Sequence, residues 1–555
     1  MVNPRKVPLS LIRQFEVKGY WVGRTLFDFL VEAEKKHPDK TAVIYKDEFY
    51  TFADFKRISL HLASQLKKAG IGRGDIVSVQ LPNCPQFMFL QIALSIIGAI
   101  IAPVHLVARK RDLYSNLNFC ESKALVFQAA YGNRNYLEEY ADLRESVPSL
   151  RNLIVRGDID GGVLPLGAIP FESLTGNNRG SEIVEPCTEA SDIFYLNFTS
   201  GTEGDPKGFL HTFNTITSFA YGVGNDWKLS NEDTFLTLSP MTHTFGHTIT
   251  YYCVMQGVKV VLVDKFEPGE ALRTIDAEKV SVMQGTPAHL YGILDHESFP
   301  SFDIKSLRIV FAGGALVPKD LLLKVRKHFG AETLNGYGMG ETLLHTVTRV
   351  DDPDWAKADT VGKAFGGSEI KIFEPTPSQD NPNILIGEVG YRGPFLFIEY
   401  FKNPTRTEET RDDEGWFRTG DVGYVDELGY LRITGRKKDQ INRGGSKISP
   451  GEIEGILKFH PKIRDVAIVA MPDRVMGERC CAYLILQPDA SSFTLEELQA
   501  FLKEREVTPY KWPERLEIAT EFPMTPTGKV RKEELRKMLL EKLANANQDQ
   551  SNHTE

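Results

Sequence analysis

The sequence predicts an α/β protein, with a large N-terminal domain of layered α/β subdomains, a small β-rich subdomain and a small α+β domain at the C-terminus. Three observations carry this. Short β-prone runs alternate with longer helical periodicities as far as about residue 350, three strand-like segments end in glycine, and after about Val361 the pattern changes to short strands split by Gly, Pro and Asn. Alternating strands and helices imply a sheet covered by helices. Ligands bind such sheets at the C-terminal ends of the strands.

Thr25-Leu-Phe-Asp-Phe-Leu opens a helical repeat, and Thr41–Tyr45 reads as a strand. Phe87 to Val107 is the most apolar stretch, but Gln91, Ser95, Pro103 and His105 interrupt it. A buried helix running into a buried strand, with Gly98 near the join, is therefore expected rather than a membrane span. Phe194–Phe198 is strand-like and leads into Ser200-Gly-Thr-Glu-Gly-Asp-Pro-Lys-Gly208. Glycines there permit positive φ and let several N–H groups face one anion, while Ser200, Thr202 and Lys207 add hydroxyls and a positive charge. The loop is not a Walker A motif, because Pro206 precedes Lys207 and Gly208 follows it.

Leu307–Ala312 reads as a strand entering Gly313-Gly314-Ala315, followed by a helix over Pro318–Phe329, and Leu334-Asn335-Gly336-Tyr337-Gly338 forms another such junction. Gly435–Gln440 is a charged connector. Beyond it, Ser449-Pro-Gly-Glu452 reads as a capping box with proline at the first helical position. Val466–Met471 and Ala482–Leu486 read as strands, and Thr494 with Glu497 caps a further helix. The expected organisation is an N-terminal domain over 1–435, a hinge at 436–438, a C-terminal domain over 439–543, and a disordered polar tail from Ala544 to the end.

Composition narrows the function classes. A chain of 555 residues, 42% apolar, is too long for one core. A net charge of −9 without long single-sign runs disfavours a nucleic-acid partner, so an anionic ligand needs a local site. The six cysteines lack CxxC spacing, which suggests neither zinc nor a disulfide framework and fits a reducing compartment. Neither an apolar signal core near the start nor a peroxisomal address at the end is present, so a cytoplasmic protein without an integral membrane segment is expected. Oligomeric state is not legible here.

Five ordered blocks resemble the signature of one enzyme group: the 200–208 loop, Asn335-Gly-Tyr-Gly-Met-Gly-Glu-Thr342, Trp416-Phe-Arg-Thr-Gly-Asp421, Gly435-Arg436 through Ile453, and Pro526-Thr-Gly-Lys529. The chain resembles, over nearly its whole length, the adenylate-forming superfamily of acyl-CoA synthetases, peptide-synthetase adenylation domains and luciferases. The resemblance implies that a carboxylate attacks the α-phosphate of ATP to give an acyl-adenylate and pyrophosphate, after which a thiol takes the acyl group. Two anions meet in the first step, so charge neutralisation, positioning and Mg²⁺ are required.

By that resemblance Thr199, Ser200, Gly201, Thr202, Gly204 and Lys207 hold the polyphosphate. Glu341 and Thr202 serve Mg²⁺. Gly313, Gly314, Ala315, Asn335, Gly336, Tyr337, Gly338 and Met339 surround the adenine, with Tyr337 stacked on it. Asp421 takes the ribose hydroxyls, and Ile433 and Arg436 add contacts. Lys529 is implied as the adenylation lysine on a mobile C-terminal domain, Lys438 as its hinge, and Gly444 and Gly445 as the border of the thiol tunnel. Gly340 departs from the threonine that many relatives carry, which puts one phosphate contact in doubt.

The acid pocket is implied at His243, Thr244, Phe245 and Gly246, with Gly314, Met339 and Gly340, and His243 as the gating residue. No aspartate in Pro240–His247 is available to pair a substrate ammonium, which disfavours amino acids. Gly435–Lys447 is most similar to stand-alone aryl-acid ligases that load carrier proteins, whereas His243-Thr-Phe-Gly246 resembles fatty and aromatic acyl-CoA ligases. Coenzyme A is the favoured acceptor and a fatty or aromatic acid the favoured substrate. A carrier protein is the alternative thiol, luciferase-type oxidation has no separate signal, and an inactive relative serving as a binding module is the competing class.

Overall fold

The computed structural model describes residues 7–157, 167–176, 184–199, 207–315, 317–378, 381–443, 446–473, 475–490, 492–505, 507–525 and 529–552. The chain falls into two compact units. One comprises Met1–Gly201, Asp205–Ile370 and Tyr391–Phe417, and the other Thr202–Gly204, Lys371–Gly390 and Arg418–Glu555.

In the first unit the expected alternation builds two sheets. The larger, nine-stranded among the described residues, has Val282–Gly285 at its centre, flanked by Ile309–Ala312 and Thr234–Thr237. Those strands run parallel, and Glu332–Met339 continues the parallel run before Leu343–Val347 pairs with it antiparallel. The smaller sheet carries Ile76–Gln80, Ile100–Pro103 and Ile193–Thr199 in parallel, closed by antiparallel Lys207–Thr212. The apolar stretch after Phe87 resolves as expected into helix Pro85–Ile97, a left-handed Gly98 at φ 72°, and strand Ile100–Pro103. This helix is buried almost all round, which explains why its sequence lacks a polar face. No helix among the described residues is long and apolar enough to cross a membrane.

Leu62, Phe87, Leu94, Val77 and Val260 belong to one continuous core joining these helices to both sheets. Polar groups are threaded through it. Gln91 sits within 3.0 Å of the His247 imidazole, His211 contacts Thr215 at 3.1 Å, and Tyr195 lies 4.1 Å from His247 ring to ring. Burial pushes His211 down to about 4 and His247 and His345 down to about 3. Histidine in the unfolded chain titrates near about 6.5, so at lower pH the unfolded state binds more protons. Stability is therefore full above that value and lost progressively as pH falls from about 6.5 towards 4, each histidine contributing up to about 1.4 kcal/mol per pH unit. Urea midpoints at pH 7.5, 6 and 5 should fall in that order; a flat profile contradicts this assignment.

The second unit holds most of a four-stranded sheet ending in the antiparallel pair Phe417–Val425 and Leu431–Arg436, and a five-stranded sheet built on the long pair Ile463–Asp473 and Gly477–Leu486, both counted among the described residues. The β-rich region after Val361 is thus divided: Lys371–Gly390 and the residues from Arg418 cluster with the C-terminal part, while the stretch up to Ile370 and Tyr391–Phe417 cluster with the layers before it. Thr494 and Glu497 cap helix Leu495–Glu504 reciprocally, as expected. Ser449 precedes helix Pro450–Leu457, with proline at the first position, but the capping box does not form. Its hydroxyl donates instead to the Thr434 carbonyl, and Glu452 takes the Lys511 ammonium at 2.8 Å. The tail also departs from expectation, because helix Lys532–Asn552 continues well past Ala544. Ala546, Gln548 and Gln550 favour helix in that stretch, whereas its asparagines, Asp549 and Ser551 do not.

Candidate active site

Two antiparallel strands present the 200–208 loop. Thr199 pairs with Lys207, so the loop joins adjacent strand ends. Ser200, Gly201, Thr202 and Gly204 lie outside the described residues. Gly208 has a packing reason: a Cβ there would come within 2.9 Å of Leu196 and 3.1 Å of Phe401.

Strand Glu332–Met339 delivers the second block. Gly336 and Gly338 are required by strand pairing, since added Cβ atoms would meet the carbonyls of Thr346 at 2.6 Å and Leu343 at 1.7 Å. Asn335 is buried and donates to the Lys357 carbonyl at 3.2 Å, while its Oδ1 has no hydrogen-bond partner among the described residues. Tyr337 is half-buried, its ring edge-on to His345. Glu341 is only 8% exposed. Its Oε1 accepts from the Tyr400 hydroxyl at 3.0 Å and its carbonyl accepts from the Phe397 N–H at 2.7 Å, so one segment holds both ends of the residue. Burial, then the neighbouring carboxylate, push the Tyr400 phenol up and keep it a donor.

Gly340 is closed over by Phe209. A Cβ at 340 would stand 2.4 Å from the Phe209 ring, and the Gly340 carbonyl is 2.8 Å from His211 Nε2. The volume a larger residue would take is filled by that ring.

The acid block folds as a tight corner. His243 caps the short helix Thr244–His247, its Nδ1 accepting from the Phe245 N–H at 3.1 Å. Gly246 lies against the Pro240 carbonyl, where a Cβ would come to 2.3 Å. Phe245 packs 5.6 Å from Phe311, and a Cβ on Gly314, which has φ 79°, would be 3.8 Å from the Phe245 ring. Thr244 Oγ1 is 3.1 Å from the Tyr195 hydroxyl. The block around His243 and the Gly313–Gly314 turn therefore meet.

In the second unit, Asp421 and Arg436 stand directly opposite in a ladder, with Arg436 Nε 3.2 Å from Asp421 Oδ1. Asp421 is 6% exposed. Ile433 is half-buried opposite Gly423, and Lys438 is exposed in the turn Lys437–Asp439. Lys529 is exposed: its N–H donates to Thr525 Oγ1 at 3.0 Å, its carbonyl accepts from the Thr525 N–H, and Met524 bridges Val530. Gly444 and Gly445 lie outside the described residues.

A family model described as AMP-binding enzyme matches residues 30–401, and a model of the AMP-binding enzyme C-terminal domain matches 452–529. The chain belongs to the AMP-binding enzyme family. It is 32% identical to the medium-chain fatty-acid–CoA ligase of Escherichia coli (strain K12), covering 97% of this chain and 95% of that protein. It is 30% identical to the 2,3-dihydroxybenzoate-AMP ligase of Bacillus subtilis (strain 168), covering 97% of each. Among solved structures, the anthranilate CoA ligase AuaEII with anthranoyl-AMP superposes with a TM-score of 0.83 at 24% identity, over 94% of this chain and 98% of that one. The chain is thus an AMP-forming acid ligase of the adenylate-forming superfamily, with the mixed α/β fold its sequence predicts.

For this family member the sequence missed four residues that geometry brings to the blocks. Tyr400 reaches Glu341, Phe209 fills the space beside Gly340, His345 abuts Tyr337, and His105 stacks on His243 at 6.1 Å and 23°. None sits inside a motif. The one available signal was Tyr400, an aromatic just before the helix start Asn403-Pro404, where Asn403 caps Arg406.

Proposed function

We propose that this chain is an ATP-dependent acid–CoA ligase acting in the cytoplasm on an uncharged aliphatic or aromatic carboxylic acid. The observation that carries the substrate class is the corner where Phe245, Phe311 and the Gly313–Gly314 backbone meet beside His243, in a block without an acidic side chain. Such a wall favours an apolar acyl group and offers nothing to a substrate ammonium. Identity to a fatty-acid–CoA ligase supports coenzyme A as acceptor; similar identity to an aryl-acid AMP ligase keeps a carrier-protein thiol as the second reading.

The residues fit the nucleotide and the metal. Asn335 Oδ1 is a buried acceptor awaiting a donor, as an adenine amine would be. The buried Glu341 carboxylate, with Thr202, would hold Mg²⁺ together with the polyphosphate, the usual arrangement for this ion. Bound there, Mg²⁺ offsets negative charge on the phosphates. In this reading Thr199, Ser200, Gly201, Thr202, Gly204 and Lys207 retain the leaving pyrophosphate. Gly313–Ala315 and Asn335–Met339 frame the adenine against Tyr337. Asp421 accepts from the ribose hydroxyls, with Ile433 and Arg436 alongside. His243 with Thr244, Phe245, Gly246, Met339 and Gly340 lines the acyl site. Lys529 neutralises charge during adenylation on a domain comprising residues 439–543, which turns about Lys438 relative to the domain of residues 1–435. Gly444 and Gly445 then border the thiol path.

Tyr400→Phe removes the donor that orients Glu341, and a hydrogen bond to a charged group is worth about 1.5–3 kcal/mol. The Mg²⁺ concentration giving half-maximal adenylation should rise about tenfold or more. An unchanged Mg²⁺ midpoint would show that Tyr400 does not serve this carboxylate. The function itself is tested by offering ATP, Mg²⁺ and a panel of fatty, aryl and amino acids with either coenzyme A or a phosphopantetheine carrier, and reading thioesters by mass spectrometry. Thioester on coenzyme A with a fatty or aryl acid is expected; acylation of the carrier alone overturns the acceptor, and preference for amino acids overturns the substrate class.

A further inference from the structure

His345 lies on strand Leu343–Val347, fully buried. The strand is irregular at this residue. Tyr337 pairs with Thr346 and the next residue, Gly338, pairs with Leu344, so His345 is the extra residue of a bulge. Bulges leave one residue out of the ladder and re-aim its side chain. Here the imidazole stands edge-on to Tyr337, with centroids 4.5 Å apart and planes at 81°. Its other side faces Tyr391 at 4.8 Å and 34°. Nδ1 lies 2.9 Å from Thr342 Oγ1, the oxygen that also accepts the Met339 N–H at 3.3 Å. Nε2 has no hydrogen-bond partner among the described residues.

A buried ring nitrogen without a partner carries a desolvation penalty. An apolar side chain would fill this position without it. What the imidazole supplies is a rigid wedge, pinned at one end by Thr342 and pressed at the other against Tyr337. Burial holds its pKa down at about 3, so the wedge stays uncharged through the neutral range.

We propose that His345 is a positioning residue for the nucleotide base: it fixes the ring plane of Tyr337 and, through Thr342, ties that ring to the turn running from Met339 to Glu341. The proposal rests on the reading that Tyr337 stacks on the adenine. Stacking of a base on an aromatic ring depends on the angle and offset of the two planes.

The test compares His345→Leu, His345→Asn, Thr342→Val and Tyr337→Ala in the full chain, each checked by thermal melting. Measured are KM and kcat for ATP and for GTP in pyrophosphate exchange, and equilibrium binding of ATP. His345→Leu should raise the KM and dissociation constant for ATP about tenfold, keep kcat at saturating ATP within about twofold, and reduce the preference for ATP over GTP. His345→Asn, whose amide can still reach Thr342, should recover part of this, and Thr342→Val should shift ATP binding in the same direction as His345→Leu. If His345→Leu fails to fold, Thr342→Val and His345→Asn decide. Unchanged ATP affinity with only a lower melting temperature or lower kcat overturns the proposal. If Tyr337→Ala also leaves ATP affinity unchanged, the stacking reading itself has failed; if Tyr337→Ala weakens ATP while the His345 and Thr342 variants do not, only the role of His345 has.

Discussion

Lys529→Ala should lower acyl-adenylate formation about 100- to 1000-fold while leaving thioester formation from a supplied acyl-adenylate within about threefold of the unaltered protein. The reason is charge. When a carboxylate attacks a phosphate, negative charge concentrates at the reacting centre, and an ammonium directed there stabilises the transition state more than the ground state. Lys529, the residue proposed for this role, is exposed and tied to Thr525 by two hydrogen bonds of its backbone. The proposed hinge at Lys438 gives the lysine a role in one half-reaction only. Stopped-flow or exchange assays of the two half-reactions separate the outcomes, and equal loss in both would contradict domain alternation.

Gly340→Ala should be nearly as damaging, and the damage should be relieved by a second change. A Cβ at 340 meets Phe209 at 2.4 Å, closer than real side chains approach, and Phe209 is 1% exposed with nowhere to move. Overpacking of this kind costs about 1–3 kcal/mol. The shift would displace Glu341, the next residue, so activity should fall about 100-fold, as misplacement near about 1 Å does. Phe209→Val alone leaves a void, which large-to-small changes in a core penalise by about 1–3 kcal/mol or more. Together, Phe209→Val and Gly340→Ala should restore both melting temperature and exchange activity beyond what the single variants predict by addition. Additive losses would show that ring and glycine are not a matched pair.

That pair also shows where sequence and structure part. Periodicity and punctuation placed helix Pro85–Ile97, the glycine stop at Gly98 and the strand after it, because each follows from local rules. The motif blocks disclosed the family because their order is specific. What stayed hidden depends on distant residues meeting. Tyr400 and Glu341 are 59 positions apart, and Phe209 lies on strand Lys207–Thr212 while Gly340 lies in the turn after strand Glu332–Met339. Gly208, Gly336 and Gly338 look like freedom granted to a ligand, yet their Cβ positions are occupied by the protein's own atoms. The Ser449 box failed for a related reason: its hydroxyl donates to the Thr434 carbonyl, 15 positions away, and its oxygen accepts no helix N–H. The helix beyond Ala544 is not legible in the sequence, because Asn545, Asn547, Asp549 and Ser551 are weak helix formers.

The central claim is that this chain joins a carboxylic acid to AMP, and acid-dependent exchange of labelled pyrophosphate into ATP measures that step without any thiol. With Mg²⁺ and a panel of aliphatic and aromatic acids, exchange should appear with at least one uncharged acid, vanish when the acid is omitted, and persist without coenzyme A. A folded protein that supports no exchange with any acid on the panel would contradict the account.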